Sequence, residues 1–158
     1  MARADIIDWR VVSCTAPFSV LCELIGEYPD DIKWTGVSFR KDLTDEFIRM
    51  YSDKLLWSEI CFNTPMEVIT TLVDDFSEQV SWPNISTRTL NEEFVRKYHK
   101  RLRWFYLSQN KCITNFTDQF FIDFAARIQW EYLFKSIHLS NSFKEKYKHK
   151  LIWENLEE

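Results

Sequence analysis

Glycine and proline are scarce in this chain, with two glycines, Gly26 and Gly36, and four prolines in 158 residues. That shortage argues against folds that need many tight turns, such as a β-sandwich, and against the Gly-rich loops that cradle nucleotide phosphates. Long apolar runs are missing too. No window approaches the ~20 apolar residues of a membrane span, and the opening MARADIIDWRVV lacks the apolar core of a signal peptide. The expected setting is therefore soluble and intracellular, without a membrane partner. In such a setting the sequons at Asn84 and Asn115 read as chance matches rather than glycan sites. Cys14, Cys22, Cys61 and Cys112 form no C-x-x-C pair and have no histidine at ligand spacing, so neither a zinc site nor a redox motif is indicated. No cofactor is expected.

What the chain has in abundance is aromatic residues, 16% of the total, and their arrangement is periodic. The seven tryptophans, Trp9, Trp34, Trp57, Trp82, Trp104, Trp130 and Trp153, are separated by 25, 23, 25, 22, 26 and 23 residues. A fixed period in this range marks stacked supersecondary units. Two residues before each Trp stands Ile7, Ile32, Leu55, Val80, Leu102, Ile128 or Leu151, always aliphatic. Six before it the full copies place Tyr28, Tyr51, Phe76, Tyr98, Phe124 and Tyr147, always aromatic. Apolar residues also recur ten and fourteen positions before the Trp, as Phe94 and Leu90 do before Trp104. Three positions after the Trp lies another aliphatic residue, and the next residue is Ser13, Ser38, Cys61, Ser86 or Ser108 in five copies of seven.

Apolar positions spaced by four sweep an arc of about 120° at 100° per residue, the buried face of a helix. Thr44, Asn91, Thr117 and Ser140 supply N-cap oxygens for its start, with acids in the first turn of several copies. The spacing predicts a helix of about twelve residues ending near the Trp, then a second helix of five to eight residues with the Trp and the aliphatic three positions on sharing one face. Pro29 falls inside the first of these helices and should shorten or kink it. The small residue after that aliphatic lets a neighbouring helix approach. The result is an all-α, solenoid-like repeat in one domain: an N-terminal half unit over 1–15, then full units over about 16–41, 42–66, 67–88, 89–113, 114–137 and 138–158. In this reading the Trp ladder is core rather than a platform for sugars or bases. A buried aromatic covers about 150–250 Å² and is worth some 4–6 kcal/mol as an upper bound.

Catalytic patterns are absent from this reading. His99, His138 and His149 are scattered, no Ser/His/Asp or Cys/His set is visible, and the acidic pairs sit at expected helix ends. An enzyme is not expected. Charge, however, is uneven: residues 1–80 carry 7 Lys/Arg and 15 Asp/Glu, residues 81–158 carry 13 and 9. Such asymmetry can orient an encounter with a charged partner. The basic candidates for contact are Arg96, Lys97, Lys100, Arg101 and Arg103, then Lys144 and Lys148 among the lysines of the last unit. The acidic candidates are Asp30, Asp31, Asp45 and Glu46. Arg96, Lys100 and Arg103 share a helical stripe that could meet phosphates, although the overall charge of −4 weighs against a dedicated nucleic-acid binder.

The segments LTDEFIRMYSDKLLWSEIC and LNEEFVRKYHKRLRWFYLS resemble short helical repeats found in tandem in proteins of large DNA viruses and some phages. The resemblance covers nearly the whole chain. It implies an α-helical repeat protein of viral origin and carries over no functional site. Together these readings point to a non-enzymatic scaffold that binds another protein, viral or host, in a host cytoplasm or a virion. The alternatives are an inhibitor of a nucleic-acid-binding protein acting through the acidic first half, or nucleic-acid contact through the basic second half.

Overall fold

The computed structural model describes residues 7–135 and 139–150. Regular structure in these residues is entirely helical, with twelve short α-helices, one 3-10 helix over Lys111–Asn115 and no strand. Six helices begin on a tryptophan: α1 (Trp9–Thr15), α3 (Trp34–Ser38), α5 (Trp57–Asn63), α7 (Trp82–Ser86), α9 (Trp104–Gln109) and α11 (Trp130–Lys135). Alternating with them are α2 (Phe18–Glu27), α4 (Asp45–Met50), α6 (Met66–Leu72), α8 (Glu92–Tyr98), α10 (Asp118–Asp123) and α12 (Asn141–Tyr147). The expected all-α repeat, with two helices per unit, is the observed fold. His138, Leu151, Trp153, Leu156 and Glu157 lie outside the described residues.

The first helix of each unit is shorter than the apolar spacing predicts. It has ten residues in α2 and six or seven in the rest. The break comes at the aromatic residue six before the Trp, whose carbonyl accepts two N–H groups and folds the chain into a turn. Tyr51 O accepts from Lys54 N at 3.0 Å and Leu55 N at 3.2 Å, and Tyr98 O accepts from Arg101 N at 2.9 Å and Leu102 N at 3.1 Å. Phe124 O does the same for Arg127 N at 2.9 Å and Ile128 N at 3.2 Å. The apolar positions still close on one core: Leu43, Phe47 and Leu55 are buried, as are Leu90, Phe94 and Leu102. Pro29 interrupts nothing, because α2 has already ended at Glu27 with Tyr28 as its C-cap.

Where the N-caps were legible, they form. Thr44 Oγ1 accepts from Phe47 N at 3.2 Å, Asn91 Oδ1 from Phe94 N at 2.8 Å, Thr117 Oγ1 from Phe120 N at 3.3 Å and Ser140 Oγ from Phe143 N at 3.2 Å. In each case the capped N–H belongs to the aromatic ten positions before the Trp, so capping and core packing fix the same residue.

The chain packs as two units, Met1–Ser81 and Trp82–Glu158. Two contacts repeat inside each. The first is aromatic: every described Trp meets the aromatic residue of the following repeat. In the first unit Trp9 meets Tyr28 at 5.4 Å, Trp34 meets Tyr51 at 4.9 Å and Trp57 meets Phe76 at 4.9 Å. In the second Trp82 meets Tyr98 at 5.4 Å, Trp104 meets Phe124 at 5.2 Å and Trp130 meets Tyr147 at 5.6 Å. The Trp ladder is therefore used up in holding repeats together.

The second contact corrects the reading of the small residue four after the Trp, which is more than a gap for a neighbouring helix. It is a buried hydrogen-bond acceptor for the residue just before the next Trp. Ser13 Oγ accepts from Lys33 N at 2.9 Å, Ser38 Oγ from Leu56 N at 2.9 Å and Cys61 Sγ from Ser81 N at 3.2 Å. In the second unit Ser86 Oγ accepts from Arg103 N at 2.8 Å and Ser108 Oγ from Gln129 N at 3.0 Å. Lys33, Leu56 and Arg103 are N-cap residues with no side-chain cap of their own. The previous repeat thus supplies what a capping-box glutamate supplies within one helix. Helix α1, the first helix of the described residues, is capped locally: Asp8 Oδ1 accepts from Arg10 N at 3.0 Å and Val11 N at 3.4 Å.

Candidate functional site

With one face of each Trp helix spent on these contacts, the opposite face is available. It comprises the positions one, two and five after the Trp, and it continues into the turn three and four residues before it. These positions do not repeat. Counted from Trp34 the outer positions carry Thr35, Gly36 and Phe39, and from Trp57 Ser58, Glu59 and Phe62. From Trp104 they carry Phe105, Tyr106 and Gln109, and from Trp130 Glu131, Tyr132 and Lys135. Phe39 is 52% exposed and Phe62 60%. A cleft lined by Arg10, Lys33, Thr35, Gly36 and Phe39 lies on this face of α1 and α3. The two helices cross closely there, since a Cβ on Gly36 would stand 3.3 Å from Arg10 O.

The turn before the Trp unites two of the predicted groups. Asp30 and Asp31 stand four and three positions before Trp34, while Lys100 and Arg101 stand at the same two positions before Trp104. All four are exposed. Equivalent places in one repeat therefore carry opposite charge, and the first packed unit is net acidic while the second is net basic. Arg103, just before Trp104, is exposed as well. Lys97 lies over the Tyr98 ring at 4.9 Å.

Arg96 is brought elsewhere. Its guanidinium pairs with Asp123 at 2.7 Å and with Glu92 at 2.8 Å and lies over the Phe120 and Phe124 rings at 5.5 and 5.6 Å. Hydrogen bonds to Asp123 and Glu92 push its pKa further up, and Arg96 with Gln119 holds the Asp123 carboxyl below its usual range. Burial pushes Glu92 upward, but Thr117 and Arg96 together outweigh it and leave the carboxyl lowered. Thr117 donates to Glu92 through N at 2.7 Å and Oγ1 at 2.8 Å. Arg49 stands at the matching position of the first unit, pairs with Asp75 at 2.6 Å and donates to Thr71 O at 2.7 Å. These arginines tie one repeat to the next.

The remaining candidates are dispersed. Asp45 lies in the first turn of α4, 4.0 Å from Arg49, and Glu46 beside it is exposed. Lys144 is half-buried in α12, and Lys148 pairs with Glu145 at 2.7 Å. Lys146 pairs with Asp118, which also accepts from Tyr147 Oη at 2.8 Å. Burial and then Asp118 push the Tyr147 phenol up to about 12, and Lys146 and Tyr147 hold Asp118 below the usual carboxylate range.

Among the described residues no cluster of His, Cys, Asp and Glu could hold a metal ion, and Cys14, Cys22, Cys61 and Cys112 form no disulfide. His99 turns Nδ1 to Arg96 O at 2.9 Å and its ring to Phe124 at 5.3 Å. The exposed rings Phe39, Phe62, Phe105, Tyr106 and Tyr132 were not among the sequence candidates. Their signal is a residual one: once the periodic positions are removed, they are the aromatics left over next to a Trp. No protein-family model, curated protein or solved structure matches this chain.

Proposed function

We propose that the chain is a non-enzymatic binding scaffold whose partner is another protein. The observation that supports this reading is the division between a constant interior and a variable exterior. Six Trp–aromatic contacts and five Ser or Cys hydrogen bonds recur with the same register. The outer face of the Trp helices, by contrast, differs from repeat to repeat and exposes large rings. Repeat arrays of this kind present extended binding surfaces, and exposed apolar positions rimmed by polar residues mark interaction sites. In the setting the viral resemblance suggests, the partner is a virion or host protein. The test compares proteins captured by wild type and by the double variant Phe39→Ser/Phe62→Ser at unchanged melting temperature. A partner lost with the variant supports the reading. An identical captured set, or turnover of a small molecule by the purified protein, overturns it.

The acidic turn at Asp30 and Asp31 favours a second reading, an inhibitor that occupies the basic nucleic-acid groove of its target. Competition with DNA or RNA for one target would support it. Binding that is unchanged in Asp30→Asn/Asp31→Asn would count against it.

A further inference from the structure

Helices α9 and α11 hold three neighbouring rings at the surface: Phe105 is 46% exposed, Tyr106 42% and Tyr132 37%. Phe105 meets Tyr106 at 5.4 Å and Tyr132 at 4.9 Å, edge to face in both cases. The charge around them is of one sign. Residues 99–109 and 125–135, each a turn and its Trp helix, contain Lys100, Arg101, Arg103, Arg127 and Lys135 but a single carboxylate, Glu131, which is held by Lys135. Lys100, Arg103 and Arg127 are exposed and form no ion pair among the described residues.

The cations also bracket the rings. Arg103 immediately precedes α9, while the turn containing Arg127 is fastened to the end of α9 by the hydrogen bond from Gln129 N to Ser108 Oγ at 3.0 Å. Ser108 stands five residues after Arg103, about 7.5 Å of helical rise. In the first unit the matching turn carries Asp30 and Asp31, so the combination belongs to this face alone among the repeats compared.

We infer that this face binds single-stranded nucleic acid, with bases stacked on Phe105, Tyr106 and Tyr132 and phosphates met by Arg103 and Arg127. Rings flanked by unpaired cations are the two components of a sequence-tolerant single-strand site: the π-faces take any base and the cations follow the backbone. A duplex keeps its base faces covered and meets only the cations. An acidic protein segment also meets the cations but gains no stacking.

The test uses the whole protein and a labelled oligo-dT of about 15 nucleotides, in the range such sites cover, read by fluorescence anisotropy over a salt series. Binding is expected at low salt and should weaken as salt rises. Phe105→Ala and Tyr132→Ala should each lower affinity roughly 5- to 150-fold, as loss of one base–aromatic stack does. Arg103→Gln and Arg127→Gln should each flatten the log–log salt slope by about 0.7. Met50→Ala, at an exposed apolar position of the first unit, should leave binding unchanged. These side chains are exposed, and melting temperatures confirm that each variant folds. The proposal is overturned by no binding at low salt, by a duplex of equal length binding as tightly, or by ring variants that fold and bind dT as wild type does. Equal displacement by polyglutamate at matched charge also overturns it, in favour of an acidic protein partner. The protein-scaffold reading survives each of these outcomes, because its own test changes Phe39 and Phe62, residues of the other packed unit.

Discussion

The Ser86 hydroxyl joins two repeats: it donates to Trp82 O at 2.7 Å and accepts from Arg103 N at 2.8 Å. Replacing it with alanine leaves a backbone N–H without a partner, which costs about 1–3 kcal/mol. Ser86→Cys should cost less, because Cys61 Sγ accepts the matching N–H from Ser81 at 3.2 Å. Urea unfolding midpoints of wild type, Ser86→Ala and Ser86→Cys check the order. A midpoint for Ser86→Ala equal to that of wild type would mean that the hydrogen bond contributes nothing.

Trp104 and Arg103 are adjacent in sequence but not in energetic weight. Trp104 meets Phe120 and Phe124 and donates from Nε1 to His99 O at 3.0 Å. Trp104→Ala should cost roughly 3–5 kcal/mol, as large-to-small core substitutions do. Arg103→Ala keeps its backbone bond to Ser86 and should change stability by less than about 0.5 kcal/mol. Near-equal melting temperatures would contradict this assignment of faces.

Acid should weaken the second unit through Arg96. Asp123 and Glu92 both titrate below their usual range in the folded chain. Their contribution is therefore complete above the unfolded carboxylate pKa of about 4 and is lost as pH falls through the lower folded values. Arg96→Gln removes the partner they share. The gap in unfolding midpoint between wild type and this variant should be widest near neutral pH and should close as pH drops below about 4. A gap independent of pH would show that the arginine acts through packing on Phe120 and Phe124 instead.

The two glycines should respond differently to alanine. Gly26 lies inside α2, and a methyl group added there would meet nothing within 4 Å, whereas a methyl on Gly36 would press on Arg10 O at 3.3 Å and Ser13 Cβ at 3.4 Å. Gly26→Ala should gain about 0.5–1 kcal/mol from helix propensity and a less free unfolded chain. Gly36→Ala should gain less than this or lose stability. Thermal melts of the two variants give the comparison.

Sequence reading succeeded where partners are local and failed where they are distant. The caps at Thr44, Asn91, Thr117 and Ser140 bond three residues on, so residue type and position suffice. The Ser86 contact spans 17 residues and that of Ser108 spans 21; only the period hints at them, and a small residue there admits a packing explanation equally well. The break at Tyr51 was hidden for another reason. A helix followed by a turn keeps the same four-residue apolar spacing as one unbroken helix. Phe105 and Tyr132 were masked by their neighbours, because rings beside a core Trp read as more core until the structure turns them outward. Arg96 shows the reverse error: a cation in a basic run looks available, while its acid partner Asp123 lies 27 residues away.

The hydrogen bond from each repeat's Ser or Cys to the start of the next also sets the rules for rearranging the chain. Units are interchangeable parts only where the donor of one meets the acceptor of another. A segment beginning at a Trp helix can follow any repeat that ends in Ser or Cys, whereas Phe134 occupies that place after Trp130 and has no oxygen or sulfur to offer. A repeat grafted behind Phe134 would find no side-chain acceptor for the N–H before its Trp.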